Sequence, residues 1–237
     1  MRIHCGLLVV LLLVRALEPL LAEAQSDPTG GGPGGEARAA DVLVGKTYFE
    51  GLPFADARQI GEAGANHLIA LLDDPAQRAR WPNAVLVLGM AARPGAYEAL
   101  AAAAERGSSG AVDRIEYRVR TTIPIAMGHL ARSDPRAFKW LAARARDRAG
   151  DAGWSYGPFD GPRLADQLRR RAVDGLGLSG RSEALPVLSA IGAEMSAARI
   201  SAAPDPELAG AIEQARALHA RIVSEGADAV LASGGAR

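Results

Sequence analysis

The stretch Asn83-Ala84-Val85-Leu86-Val87-Leu88-Gly89-Met90-Ala91-Ala92 contains no charged side chain. A helix that is apolar on every side is buried between layers and does not lie on a surface. Pro82, directly before the stretch, suits the first position of a helix, and Arg93-Pro94-Gly95 ends the run. The stretch therefore predicts a central helix with other helices packed around it.

The Leu88-Gly89 pair has two counterparts further along the chain, Met127-Gly128 and Leu176-Gly177. Each pair lies late in an apolar helical stretch and is followed by a turn and a new apolar run. Gly128 follows Gly89 by 39 residues (128 − 89), close to the ~40–47 residues of common helical repeats. Gly177 follows Gly128 by 49 residues (177 − 128), and the surplus lies in the Gly- and Pro-rich segment 147–162. This self-similarity predicts stacked helical pairs.

Apolar positions recur every three or four residues from about Ala55 to Gly226, which is the spacing of helices. Pro124 lies inside one such stripe and indicates either a kink or a restart of that helix. The predicted four pairs carry the apolar sets Ile60–Leu72, 83–92, Tyr97–Ala104, Val112–Leu130, Phe138–Ala145, Leu164–Leu176, Leu185–Met195 and Leu208–Ile222.

Three segments share a longer motif. They are Asn83…Leu88-Gly89…Pro94-Gly95-Ala96…Leu100, Arg120…Met127-Gly128…Asp134-Pro135-Arg136-Ala137…Leu141, and Arg171-Ala172…Leu176-Gly177…Glu183-Ala184-Leu185-Pro186-Val187-Leu188. In these segments the chain resembles the HEAT-repeat family and, more loosely, bacterial relatives that share repeats with phycobilisome lyases. The resemblance covers about 55–188 and weakens in the last pair, where no Leu-Gly recurs near Leu218. It implies an all-α fold, a right-handed α-α superhelix (HEAT-like solenoid) of about four helical pairs.

The N-terminal residues have the pattern of a secretory signal. A basic start precedes the apolar run Gly6–Val14, and Ala22-Glu23-Ala24 offers a cleavage site before Gln25. Val14-Arg15-Ala16 is a second possible site, and an uncut anchor in the inner membrane is the alternative. The predicted organisation is a signal peptide at 1–24, a flexible Gly/Pro-rich linker at 25–40, and a HEAT-like repeat domain at 41–232 with an irregular N-terminal cap.

Composition narrows the function classes. The net charge is zero, so no overall field favours nucleic acid or an acidic membrane surface. The prevalence of Ala, Gly and Arg is typical of a bacterium with a GC-rich genome. The single cysteine, Cys5, lies within the predicted signal peptide, and His67, His129 and His219 each stand alone in their segments. The sequence predicts no metal site, no cofactor and no catalytic constellation.

Two sets of residues are candidates for a binding site. Trp154, Tyr156 and Phe159 gather in the segment 147–162, and aromatic side chains of this kind are favoured at interface hot spots. The alternative is that the segment folds back and buries these rings against the helices. Arg120 and Arg171 belong to arginine runs that line one groove if the stack curves suitably; the alternative is a solvated helix face with ion pairs.

A helical-repeat stack offers a surface for partners. The sequence therefore predicts a non-catalytic scaffold, exported to the periplasm or the exterior, that binds an unidentified protein or peptide. It predicts no nucleic-acid partner and no membrane insertion after cleavage. The alternative function is a lyase-like or other enzyme subunit of the cell envelope that uses a pocket in the solenoid.

Overall fold

The computed structural model describes residues 32–48, 51–106, 109–147, 152–198 and 206–234. The predicted signal peptide and the first part of the predicted linker lie outside these ranges. Among the described residues, no helix is both long and apolar enough to cross a membrane.

The fold is all-α, as predicted. A helix covers most of each predicted apolar set, although Ile60 and Val112 lie just before the helices that they were predicted to begin. Pro124 lies inside one continuous helix, so the interpretation as a restart was wrong. The helices are α1 (Pro33–Gly45), α2 (Phe54–Arg58), α3 (Glu62–Leu72), α4 (Trp81–Ala91), α5 (Ala96–Glu105), α6 (Arg114–Leu130), α7 (Pro135–Arg146), α8 (Gly161–Leu178), α9 (Ala184–Ala198), α10 (Pro206–Glu225) and α11 (Ala227–Gly234), with a 3-10 helix at Pro75–Arg80.

The helices stack in the order of the sequence. The second helix of each pair packs on the second helix of the next pair, so that α4, α6, α8 and α10 form one layer. The first helices, α3, α5, α7 and α9, pack against that layer. Leu88, Leu100, Met127, Leu141 and Leu176 are all completely buried, as their positions in the apolar stripes predict. The right-handed superhelical arrangement remains a prediction.

The repeated glycines are the points where neighbouring second helices meet backbone to backbone. A Cβ atom on Gly128 would lie 2.7 Å from Gly175 Cα, and one on Gly177 would lie 2.6 Å from the carbonyl oxygen of Ala215. Gly89 is packed just as closely against Ala126. Any side chain at these positions would push the helices apart, so the glycines set the spacing of the layer.

These contacts also place the fourth pair in register. Gly89 meets the residue two positions before Gly128, and Gly128 meets the residue two positions before Gly177. Gly177 meets Ala215, so Ala217 occupies the equivalent position in α10. Ala217 follows Gly177 by 40 residues (217 − 177), which restores the spacing of the first two pairs. An alanine in place of the glycine explains why the motif fades there in the sequence.

The structure corrects the predicted linker and cap. Residues 33–40 belong to α1, with Pro33 in its first turn, and Ala40, Leu43 and Val44 are buried. The Glu36 carboxylate accepts hydrogen bonds from the backbone N–H groups of Ala63 (3.0 Å) and Gly64 (3.3 Å), at the N-terminus of α3. The glycine-rich composition concealed a helix that is stabilised by tertiary packing.

Another helix that was not predicted follows α10. Gly226, with φ of +87°, ends α10 as expected, but the chain continues as α11. This helix packs on α10 and also on α2, with Val230 buried and Asp228 pairing with Arg132 at 3.4 Å. The last helix of the chain therefore contacts one of the first.

Candidate functional site

The turns inside the second and third pairs lie side by side at one edge of the stack. Gly110–Ala111 (β1) and Trp154–Ser155 (β2) form a short parallel pair. The N–H of Gly110 donates to the Gly153 carbonyl (3.3 Å), and the N–H of Val112 donates to the Ser155 carbonyl (2.9 Å). This pairing fixes the segment after residue 151 to the preceding turn, and we call this side the loop edge.

The structure separates the three aromatic candidates. Trp154 is buried, with its ring edge against Tyr117 of α6 at 6.4 Å between centroids. Tyr156 is half-buried and stacks on the same tyrosine at 4.2 Å. Phe159 is 41 % exposed, at the end of a turn closed by paired backbone bonds to Tyr156. The described part of the segment therefore folds onto the stack, and of the three aromatic side chains only that of Phe159 is largely accessible.

Arg120 is buried beside Trp154. Its guanidinium lies 4.8 Å from the indole centroid, Nε donates to Glu116 Oε1 at 2.9 Å, and Nη2 donates to the Arg106 carbonyl at 3.0 Å. The last of these bonds satisfies a carbonyl at the C-terminus of α5. Arg120 thus joins a helix end to the loop edge.

This role of Arg120 has counterparts in the neighbouring pairs. The residue eight positions before each repeated glycine donates to a carbonyl near the end of the preceding helix: Trp81 to Leu71 (2.9 Å) and Arg169 to Ala145 (2.9 Å). In the sequence, this contact corresponds to Trp81, Arg120 and Arg169, each eight residues before a repeated glycine. This spacing was not recognised as part of the repeated motif.

Arg171 lies apart from Arg120. It is about half exposed on α8, with Asp174 at 3.7 Å, beside a shallow groove between α8 and α10. Burial raises the pKa of Asp174, and the charges of Arg171 and Arg170 partly offset this increase. The two arginines predicted to share one groove are therefore placed on different surfaces.

A partly open cavity of about 380 Å³ lies at the loop edge, next to Arg120 and Trp154. We call it the arginine–tryptophan cavity. Its apolar wall comes from the helices and its polar rim from three guanidinium groups. The lining residues are Ala104, Glu105, Arg106, Ser109, Arg120, Ile123, Pro124, Trp140, Arg144, Ala152, Gly153, Trp154 and Leu168.

Trp140 and Arg144 are the functional candidates that sequence reasoning missed. They are four residues apart on α7, so they project from the same helix face. The Arg144 guanidinium lies 5.5 Å from the Trp140 ring centroid, and its ion pair with Asp147 is long, at 3.8 Å. Periodicity assigns Trp140 to a helix, but only the fold shows that the neighbouring loop leaves a space above it.

Arginine supplies most of the charged groups that line the cavity. Three arginines and one carboxylate, that of Glu105, lie in its walls. Each guanidinium also has a carboxylate partner outside the lining: Arg120 pairs with Glu116 at 2.9 Å, Arg106 with Asp73 at 3.3 Å and Arg144 with Asp147 at 3.8 Å. The pair of Arg144 is the longest, so this guanidinium is the one that can exchange its partner for an anionic group beside the apolar and indole walls.

The histidines lie away from this cavity. His129 is buried near the far end of α6 and stacks on Phe54 at 5.5 Å; burial, with a smaller contribution from Arg132, lowers its pKa to about 4. His219 contacts the Arg181 carbonyl (2.9 Å), and His67 contacts Asp41 (3.0 Å). Within the described ranges, no three His, Cys, Asp or Glu side chains are grouped to hold a metal ion.

Comparison of the chain with protein-family models, curated proteins and solved structures found no match. The resemblance to HEAT repeats therefore rests on the sequence motifs. The arginine–tryptophan cavity and the surfaces around it form the candidate functional site.

Proposed function

We propose that this chain is an exported, non-catalytic binding module with HEAT-like repeats, and that it holds a peptide segment of another protein in the arginine–tryptophan cavity. The observation that carries the proposal is the meeting of Trp140, Trp154 and Arg144 around a partly open cavity. Export is supported by the apolar run Gly6–Val14 and the cleavage pattern that follows it.

The size and lining of the cavity suit a peptide side chain. Its volume of about 380 Å³ is within the range of small-ligand pockets. Tryptophan and arginine are the residue types that most often dominate binding energy at interfaces. Trp140 and Arg144 both lie on α7, whose buried residues Leu141 and Ala145 fix its position, and this lowers the entropic cost of binding.

The lining favours binding over catalysis. General acid–base chemistry needs a positioned proton donor and acceptor, commonly a histidine or a pair of carboxylates. Among the described residues that line the cavity, Glu105 supplies the one carboxylate, and the histidines lie elsewhere. A guanidinium group offers several N–H donors and no acceptor, so it serves recognition better than proton transfer.

Site-specific photo-crosslinking tests the proposal. A benzophenone amino acid replaces Ser109, which is exposed at the rim of the cavity, and in a second variant it replaces Arg171, which is exposed beside the groove between α8 and α10. Both variants are produced in the native host and irradiated in intact cells. We expect adducts with a second polypeptide from position 109 and none from position 171.

Mass spectrometry of the adducts identifies the crosslinked segment. Adducts from position 171 alone would move the binding site to the groove. Irradiation that yields no adduct from either position would contradict a peptide-binding role. Recovery of an intact Met1 chain from the cytosol would overturn the exported location.

A further inference from the structure

We infer that the arginine–tryptophan cavity recognises the free C-terminus of a peptide whose last residue is apolar. The inference rests on the proposed function and deepens it. Arg144 pairs with the terminal carboxylate at the rim, while the last side chain lies between Trp140 and the wall formed by Ile123, Pro124 and Leu168.

Of the three arginines, Arg144 is the one placed to accept a new anion. Arg120 has a carboxylate partner at 2.9 Å and Arg106 has one at 3.3 Å, and each also donates to a backbone carbonyl. Arg144 is 44 % exposed, and its carboxylate partner, Asp147, is 3.8 Å away and itself 46 % exposed. A guanidinium in this state can exchange a long surface pair for a bidentate carboxylate contact.

The charge that a ligand must bring favours a chain end over an internal segment. The walls come from α5, α6, α7 and α8 and from described residues of the adjoining turns. An internal segment has no charged backbone group to offer Arg144, whereas a terminus brings its own carboxylate.

The last residue is expected to be apolar for two reasons. The wall that faces the ligand is made of aliphatic and indole groups, which reward the burial of apolar surface. A second negative charge on an Asp or Glu side chain would approach Glu105, and like charges in a partly enclosed site repel each other. A volume of about 380 Å³ accommodates one large side chain together with a carboxylate.

Calorimetric titration of the mature protein with defined peptides tests this inference. The probes are N-acetylated pentapeptides of glycine and serine that end in leucine, with either a free carboxylate or an amide at the C-terminus, and a third peptide that ends in aspartate. We expect the free leucine carboxylate to bind at least about tenfold more tightly than either of the other two. Arg144→Gln should remove that difference.

Arg146→Gln is the matched control, because Arg146 is exposed on the same helix and does not line the cavity. It should leave all three affinities unchanged, and equal melting temperatures of both variants show that folding is intact. Equal affinity of the amide and the free acid overturns the inference, as does the absence of binding by all three peptides. In either case, crosslinks from position 109 would still support the proposed function.

One further arm separates a peptide from a small organic acid. N-acetyl-leucine presents the same carboxylate and side chain without the preceding backbone. We expect it to bind at least about tenfold more weakly than the pentapeptide, because it lacks contacts along the rim. Equal affinity would overturn the assignment to a peptide and would indicate a site for free carboxylic acids.

Discussion

The two ends of α6 show how one helix can support either a cavity or a sealed contact. Near its start, at the loop edge, Arg120 stacks on Trp154 and leaves an open space beside it. Near its end, His129 stacks on Phe54 of α2 and is 6 % exposed. Both ends combine aromatic rings with arginines, so residue type alone does not distinguish them.

The difference lies in what covers each end. At the His129 end, α2 and α11 pack together, Val230 is buried, and the Arg132 guanidinium lies 5.8 Å from the Phe54 centroid. At the loop edge, the covering elements are turns and the two-residue strands. The two helices fill the volume at the His129 end, whereas the turns at the loop edge leave the space beside Arg120 unfilled.

The largest expected effect comes from a substitution in α4, the helix that packs along α6. Leu88 is fully buried in α4, and Leu88→Ala should lower the free energy of unfolding by about 2–5 kcal/mol, the range for a cavity in a packed core. Leu185→Ala, at a position that is 41 % exposed, is the control and should cost much less. Urea denaturation measures both. A loss below about 0.5 kcal/mol for Leu88→Ala would contradict the buried layer.

The next effect concerns the loop edge alone. Trp154→Ala should destabilise the protein by about 2–3 kcal/mol, at or below the usual range for a buried tryptophan because the short turns can partly collapse. Phe159→Ala, on the same segment but 41 % exposed, should change stability by less than about 0.5 kcal/mol. Thermal denaturation of the two variants decides the role of the segment. Equal melting temperatures would mean that Trp154 is not part of the packed structure.

The sealed end predicts a dependence of stability on pH. The pKa of His129 is about 4 in the folded protein, below the ordinary value of 6.5, because burial disfavours the imidazolium. The unfolded chain therefore binds a proton first as the pH falls. Stability should be full above about pH 6.5, decrease by about 2 kcal/mol by pH 5, and stop changing below about pH 4.

Urea denaturation at pH 7 and pH 5 measures this slope, and His129→Gln should reduce it. Arg132 adds to the unfavourable charge at this site, while Asp228 pairs with Arg132 at 3.4 Å and offsets part of it. Nδ1 of His129 is buried without a hydrogen-bond partner among the described residues, so protonation there gains no local acceptor. Identical slopes in both proteins would show that other groups control the acid sensitivity.

The sequence predicted the helices and their order because apolar periodicity and capping signals are local. Asp134 accepts from the N–H of Arg136 at the start of α7, as the Ser-Asp-Pro signal indicates. The pattern failed where tertiary contacts decide the structure. Residues 33–40 have a glycine-rich composition and form a helix because α3 and α4 cover its apolar face.

The candidate site was only half predictable. Arg120 and Trp154 were identified from an arginine run and an aromatic-rich segment, and they do meet, 4.8 Å apart. The sequence around Trp140 predicts only a helix. The cavity beside its ring depends on how the next loop folds. Arg171 was assigned to the same groove as Arg120 because both occur in arginine runs. The repeat register instead pairs Arg120 with Arg169, two residues earlier.

The smallest expected effect tests whether Arg171 contributes to binding at all. Its contact with Asp174 is 3.7 Å long and lies on a half-exposed surface, and such pairs contribute less than about 0.5 kcal/mol. Arg171→Gln should therefore leave the urea midpoint nearly unchanged and leave the affinity for the leucine-terminated peptide the same, in contrast to Arg144→Gln. The two substitutions remove the same charge from two surfaces of one domain, so net charge cannot explain a difference between them. If Arg171→Gln lowered the affinity for the peptide as much as Arg144→Gln does, the peptide would be attracted by arginines in general and not by one site. The distinction between the cavity and the open groove would then have no functional meaning.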